Sequence, residues 1–154
     1  PPLLTVYGGK LTTYRKLSET VVDMLAPALG SARGGPWTAG VPLPGGDMAD
    51  GDFDRFLQQV GASYPWLERG LLHRYARAYG TRMQRLLQGC AATADLGTEV
   101  LPGLYEREIE YLRVHEFART AEDILYRRSK LGVHLGTGSV QVLADWLSSH
   151  SPLK

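Results

Sequence analysis

Gly8-Gly9-Lys10-Leu11-Thr12-Thr13 is the stretch of this chain in which residue type and spacing point most directly to chemistry. Two glycines let a ligand approach the backbone closely, and a helix beginning just after them presents free N–H groups and a partial positive charge. Lys10 adds a full charge, and Thr12 or Thr13 can cap the helix or offer a hydroxyl. Together these groups suit a negatively charged acceptor. The same residues also read as a plain capped helix start, and both readings stand at this point. The G-x-x-x-x-G-K spacing of a Walker A loop is missing.

The elements that must hold this turn follow from pattern. Leu3 to Tyr7 reads as a short β-branched and aromatic strand. Leu11, Tyr14, Leu17, Val21 and Leu25 form an apolar stripe on a helix that should end between Pro27 and Gly30. Residues 31–50 are rich in Gly and Pro and read as a linker, the best domain boundary in the sequence. From Gly51 the pattern is helical. Asp52 precedes a helix with Phe53, Phe56, Leu57 and Val60 on one face, and Pro65 suits the first turn of a helix stopping at Gly80. Met83, Leu86 and Leu87 continue the helical text, and residues 91–103 read as a connection. A helix carrying Ile109, Leu112 and Phe117 follows. The next, from Thr120, has Asp123 in a capping-box position, an Asp123–Arg127 pair and Gly132 as C-cap. Val140, Leu143, Trp146 and Leu147 mark the last helix. The expected fold is mainly α, with about six helices and one short strand whose partners lie elsewhere.

Composition sets limits. The chain has 154 residues, 44% hydrophobic and 21% charged, with a formal net charge of +1, which argues against a nucleic-acid partner and against a helix-turn-helix reading of residues 118–132. Arginine outnumbers lysine. Cys90 stands alone and reads as a buried small hydrophobe. His73, His115, His134 and His150 are scattered, none at metal-ligand spacing, so no metal is expected. Glu108, Glu110 and Glu116 read as helix ion pairs or N-cap contacts. Trp37, Trp66 and Trp146 read as core or interface anchors. No apolar run approaches the roughly 20 residues of a spanning helix, and no signal peptide is evident. The start at Pro1-Pro2 without methionine fits a piece cut from a longer protein.

These residues carry a resemblance. Gly8 to Arg15, and the pattern E-x-x-x-T-x-E-D-x-L-x-R-R-S-x-L-G over Glu116 to Gly132, are similar to the C-terminal part of the FAD-dependent glycerol-3-phosphate dehydrogenases and related glycerophosphate oxidases. The resemblance implies three parts: a terminal strand and helix of the FAD domain over residues 1–30, the linker over 31–50, and a helical C-terminal cap over 51–154. It implies that Gly9, Lys10, Leu11 and Thr12 touch FAD at the pyrimidine end of the flavin. There Lys10 supplies electrostatic help to the flavin or substrate. Hydride arriving at the flavin N5 leaves negative charge over N1 and the C2 carbonyl, where a helix start and a lysine are useful.

The resemblance further implies oxidation of sn-glycerol 3-phosphate to dihydroxyacetone phosphate, with electrons passing through FAD to quinone. The full enzyme would be cytoplasmic and peripheral on the inner membrane. This chain holds no G-x-G-x-x-G fingerprint, so alone it should be inactive and should not retain FAD tightly. Its first partner is then the upstream FAD domain. Arg127-Arg128 either complements a helix dipole or ties the cap to that domain. Leu3 to Tyr7, unpaired, offers its backbone to a second copy, which makes a homodimer an expectation. The competing reading is an autonomous helical interaction module, which leaves the Gly-Gly-Lys turn without a use.

Overall fold

The computed structural model describes residues 3–31 and 35–150. The chain divides into two compact units, Pro1–Leu43 and Pro44–Lys154. Pro1, Pro2 and residues 32–34 of the expected linker lie outside the described residues.

In the first unit, a 3-10 turn over Leu11–Thr13 runs directly into helix α1 (Tyr14–Leu25). A further 3-10 turn ends at Gly30, which adopts the left-handed conformation of a C-cap (φ 64). The α-helix itself thus ends at Leu25, short of the expected stop, and only the 3-10 turn carries the helical run to Gly30. Leu3 to Tyr7 carries no ladder, because no second strand lies beside it among the described residues, and an isolated strand has no hydrogen bonds to hold it. Much of the expected stripe faces solvent: Leu11 is 89% exposed and Tyr14 is exposed too. What is buried on α1 is a charge. Glu19 accepts from Arg15 Nη1 at 3.0 Å, Lys16 Nζ at 3.2 Å and the Thr38 hydroxyl at 2.5 Å. The Thr38 hydrogen bond leads the causes that hold its carboxyl below the ordinary value.

The second unit is built on helices α2 (Phe53–Ser63), α3 (Arg69–Tyr79), α4 (Met83–Leu86), α5 (Glu106–His115) and α6 (Ser139–Ser149), with a hairpin of β1 (Glu99–Leu101) and β2 (Leu104–Tyr105). The core runs from Phe56 and Val60 through Tyr75, Met83, Leu86 and Leu87 to Ile109, Leu112, Ile124, Leu125 and Leu143. Asp52 caps α2 by accepting from Arg55 N at 3.0 Å. The expected start of α3 at Pro65 is corrected: Pro65 lies in a turn, and the helix begins at Arg69. There the Glu68 carboxylate accepts from Gly70 N and Leu71 N at 2.8 and 2.9 Å. An acidic cap satisfying two orphan donors sets the boundary more firmly than a proline that merely tolerates it.

The antiparallel hairpin occupies the stretch read as a connection, with Leu101 opposite Leu104. Two and three residues are too short to display alternation, so only the Pro102-Gly103 turn signals it, with Gly103 at φ 74. Gly80 ends α3 at φ 53, and a Cβ there would overlap the Gly45 carbonyl, which also accepts from Thr81 N at 3.0 Å. A glycine is the residue that fits such a close backbone approach.

The Thr120 segment differs from expectation in two ways. Asp123–Arg128 forms a π-helical turn, closed by Ser129 N donating to the Ile124 carbonyl at 2.9 Å. The left-handed residue at its end is Lys130 (φ 62) rather than Gly132. Gly132 is buried instead, and a Cβ would sit 2.5 Å from the Tyr126 ring. Phe117, expected on the apolar face of α5, lies past the helix end at φ 57 and is 80% exposed.

Candidate functional site

At the Gly8–Thr13 turn, Gly8 (φ 75) and Gly9 (φ 126) both occupy conformations that L side chains rarely adopt. They deliver an extended Lys10 (φ −75, ψ 142) as the cap of the 3-10 turn. The Thr13 hydroxyl donates to the Lys10 carbonyl at 2.9 Å, and Thr13 N does so at 3.0 Å. No side chain caps the leading N–H groups of the turn, and the first N–H groups of a helix have no acceptor within it. Gly9, Lys10, Leu11 and Thr12 are all exposed. The turn is thus a short run of outward-facing donors beside a lysine, suited to an anionic or strongly accepting group supplied from outside this unit.

A second polar centre lies in the helical unit, and sequence reading missed it. Glu108, on α5, has no exposed surface. Arg74 of α3 donates to both of its oxygens at 2.6 Å and also to the Gly103 carbonyl at 2.5 Å, while the Tyr79 hydroxyl donates to Glu108 Oε1 at 2.5 Å. Burial works against the Arg74 charge, but the Glu108 carboxylate outweighs it and holds the guanidinium above its ordinary value. Burial first, then the same carboxylate, push Tyr79 and Tyr75 upward. Tyr75 lies under the Arg74 guanidinium at 4.7 Å, and its buried hydroxyl has no hydrogen-bond partner among the described residues. No spacing rule predicts this centre, because its members are 34 and 29 residues apart. The one available signal was Glu108 standing beside Ile109 in an otherwise ordinary helix.

Tyr79 stacks edge-on against Tyr111 at 5.3 Å, and Tyr111 leads to a surface groove. Arg82 Nε donates to the Tyr111 hydroxyl at 2.9 Å, which donates in turn to Glu116 at 3.0 Å. Arg127 pairs with Asp123 at 2.6 Å, and Arg128 Nε donates to the Glu116 carbonyl at 2.7 Å. Asp123 closes the capping box: it accepts from Arg119 N and Thr120 N at 3.0 and 3.1 Å, while Thr120 Oγ1 accepts from Asp123 N at 3.2 Å. Of the other acids expected in helix pairs or N-cap contacts, Glu108 is a buried crosslink between helices, and Glu116 lies just past α5 and pairs with Arg82 at 3.7 Å.

Cys90 is half-buried, and burial pushes its thiol up, which suits an inert side chain. Trp66 and Trp146 pack against the core, while Trp37 is exposed. No helix among the described residues is long and apolar enough to cross a membrane.

Residues 36–150 match the family described as the C-terminal domain of alpha-glycerophosphate oxidase. The chain is 49% identical to a glycerol-3-phosphate dehydrogenase of Pseudomonas aeruginosa over 152 residues, 99% of this chain and 29% of the relative. It is 39% identical to the aerobic glycerol-3-phosphate dehydrogenase of Escherichia coli over 97% of this chain and 30% of that protein. It is also 39% identical to a D-erythritol 1-phosphate dehydrogenase of Brucella abortus over 96% of this chain and 29% of that protein. The chain thus spans under a third of the length of these relatives, and a linked upstream region is implied. With its helical unit and preceding linker matched through to His150, the chain belongs to the family of the C-terminal domain of alpha-glycerophosphate oxidase.

Proposed function

We propose that this chain is the C-terminal part of an FAD-dependent glycerol-3-phosphate dehydrogenase, oxidising sn-glycerol 3-phosphate to dihydroxyacetone phosphate and passing electrons to quinone. The observation that carries the reading is the 49% identity to a glycerol-3-phosphate dehydrogenase along 99% of the chain.

The Gly8–Thr13 turn fits a flavin edge. Both glycines sit at positive φ with open space beside Gly8, and the leading N–H groups of the turn carry no side-chain cap. Gly9, Lys10, Leu11 and Thr12 would hold the pyrimidine end of the isoalloxazine. When bound, the flavin supplies the hydride acceptor. The role of this chain would be electrostatic: with a flavin bound there, the Lys10 ammonium and the Leu11 and Thr12 N–H groups would favour negative charge on the ring. The helical unit serves as a cap on the upstream FAD domain, and the exposed Leu11 and Tyr14 fit a surface that other parts of the whole protein cover. The complete enzyme would be cytoplasmic and peripheral on the inner membrane, and Leu3 to Tyr7 leaves room for a homodimer.

The test is to express the reading frame with its upstream region beside the present chain. Flavin absorbance and dye reduction would be recorded with glycerol 3-phosphate and with D-erythritol 1-phosphate. A yellow long form active on glycerol 3-phosphate beside a colourless short form supports the reading. A colourless, inert long form would leave the autonomous helical module in its place.

A further inference from the structure

The groove beside Tyr111 is lined by Tyr79, Arg82, Glu116, Arg127 and Arg128 among others and has a volume of about 210 Å³. Three arginines and one glutamate therefore line it. Each arginine is held on one side only: Arg82 by Tyr111 and Glu116, Arg127 by Asp123, and Arg128 by the Glu116 carbonyl. A guanidinium has five N–H donors in a fixed fork, so most of these donors have no acceptor among the contacts just given.

The backbone beneath them is unusual as well. Arg127 and Arg128 are adjacent in sequence yet line one groove, and they do so from a π-helical turn. Such turns recur at functional sites. The turn is fixed at its other end by the Thr120–Asp123 capping box, so the pair of arginines is positioned before any ligand arrives.

We propose that the Arg82–Arg127–Arg128 groove is a binding site for a small free oxyanion of the phosphate or carboxylate class. The proposal does not depend on the flavin reading of the Gly8–Thr13 turn. Restrained arginines with spare forked donors are suited to bidentate recognition of such groups. Glu116 and the Tyr111 hydroxyl position Arg82 in the groove.

The experiment uses the full-length protein with its upstream region. Crystals soaked in selenate are read by anomalous diffraction, and inorganic phosphate is titrated against melting temperature at constant ionic strength. The site requires an anomalous peak between Arg82, Arg127 and Arg128. Phosphate affinity should fall roughly tenfold in Arg128→Gln and in Arg82→Gln, the loss expected for one charged hydrogen bond. Arg85→Gln, in a second groove that does not include Arg82, Arg127 or Arg128, should leave it unchanged. Phosphate held elsewhere in the longer protein is common to all variants and drops out of the comparison. If a glutamine variant fails to fold, Arg128→Lys keeps the charge and should weaken binding by losing the fork. An empty groove, a groove filled by an upstream side chain, or equal phosphate affinity in wild type and both variants would overturn the proposal.

Discussion

Arg74 holds both carboxylate oxygens of Glu108 at 2.6 Å, and Glu108 has no exposed surface. This is a two-pronged bond between α3 and α5 inside the core, extended to the hairpin through the Gly103 carbonyl. Removing one partner leaves the other charge buried without compensation, which costs about 3–5 kcal/mol. Glu108→Gln and Arg74→Met should each destabilise the protein by about that amount in urea unfolding. The double variant should cost less than the sum of the two. Additive losses would show that the pair does not act as a unit.

Tyr75 and Tyr79 sit on the same centre with opposite hydrogen-bond status. The Tyr79 hydroxyl donates to Glu108 at 2.5 Å, whereas the buried Tyr75 hydroxyl has no partner among the described residues. Tyr79→Phe should therefore lose about 1.5–3 kcal/mol, the value of a hydrogen bond to a charged group. Tyr75→Phe removes an unsatisfied polar atom from the interior and should be neutral or slightly stabilising. Thermal melts of the two variants, side by side, decide the matter. A Tyr75→Phe loss as large as that of Tyr79→Phe would mean that the Tyr75 hydroxyl has a partner after all.

What the sequence made legible depended on how local each determinant is. The left-handed stop at Gly30 after α1, the Asp52 cap, the stop of α3 at Gly80 and the Asp123–Arg127 pair all involve residues within four positions of one another. The Glu108 centre joins residues 34 apart, so its acid looked like any helix-surface glutamate. The π turn was hidden for a different reason: its capping box and i,i+4 ion pair are also those of an α-helix, and only the Ser129 N to Ile124 carbonyl bond distinguishes them. The groove needed both, since Arg82 reaches it from another part of the chain. The Gly8–Thr13 turn could be read because glycine at positive φ is a local requirement.

Asp123 gives the capping box a pH signature. Hydrogen bonds from Arg119 N and Thr120 N, then the Arg127 guanidinium, hold its carboxyl at about 2 rather than the usual 3.8. The folded state thus binds this proton less readily than the unfolded chain. The resulting stability is present above about pH 4 and is lost as the pH falls toward about 2. Asp123→Asn should lower the melting temperature at neutral pH and shrink the difference between wild type and variant as the pH falls through that window. A gap that stays constant with pH would show that the carboxylate charge is not what the cap uses.

Lys10 offers the sharpest test of the proposal that the Gly8–Thr13 turn meets the flavin. Gly9 at φ 126 fixes where the Lys10 backbone begins, and a Cβ at Gly9 would lie 3.2 Å from Leu17 Cδ2. Gly9→Ala should therefore disturb the placement of the turn, at a backbone cost of about 1–3 kcal/mol. Lys10→Met leaves that backbone alone and removes only the charge. In the full-length protein it should slow anaerobic flavin reduction by glycerol 3-phosphate roughly a hundredfold, the lower end of what a preorganised charge-stabilising group contributes. Flavin content should be retained in Lys10→Met and lowered in Gly9→Ala. If Lys10→Met reduced the flavin at the wild-type rate, the lysine would have no electrostatic part in the chemistry. The turn would then act through its backbone donors alone, and Gly9→Ala would remain the variant that impairs the enzyme.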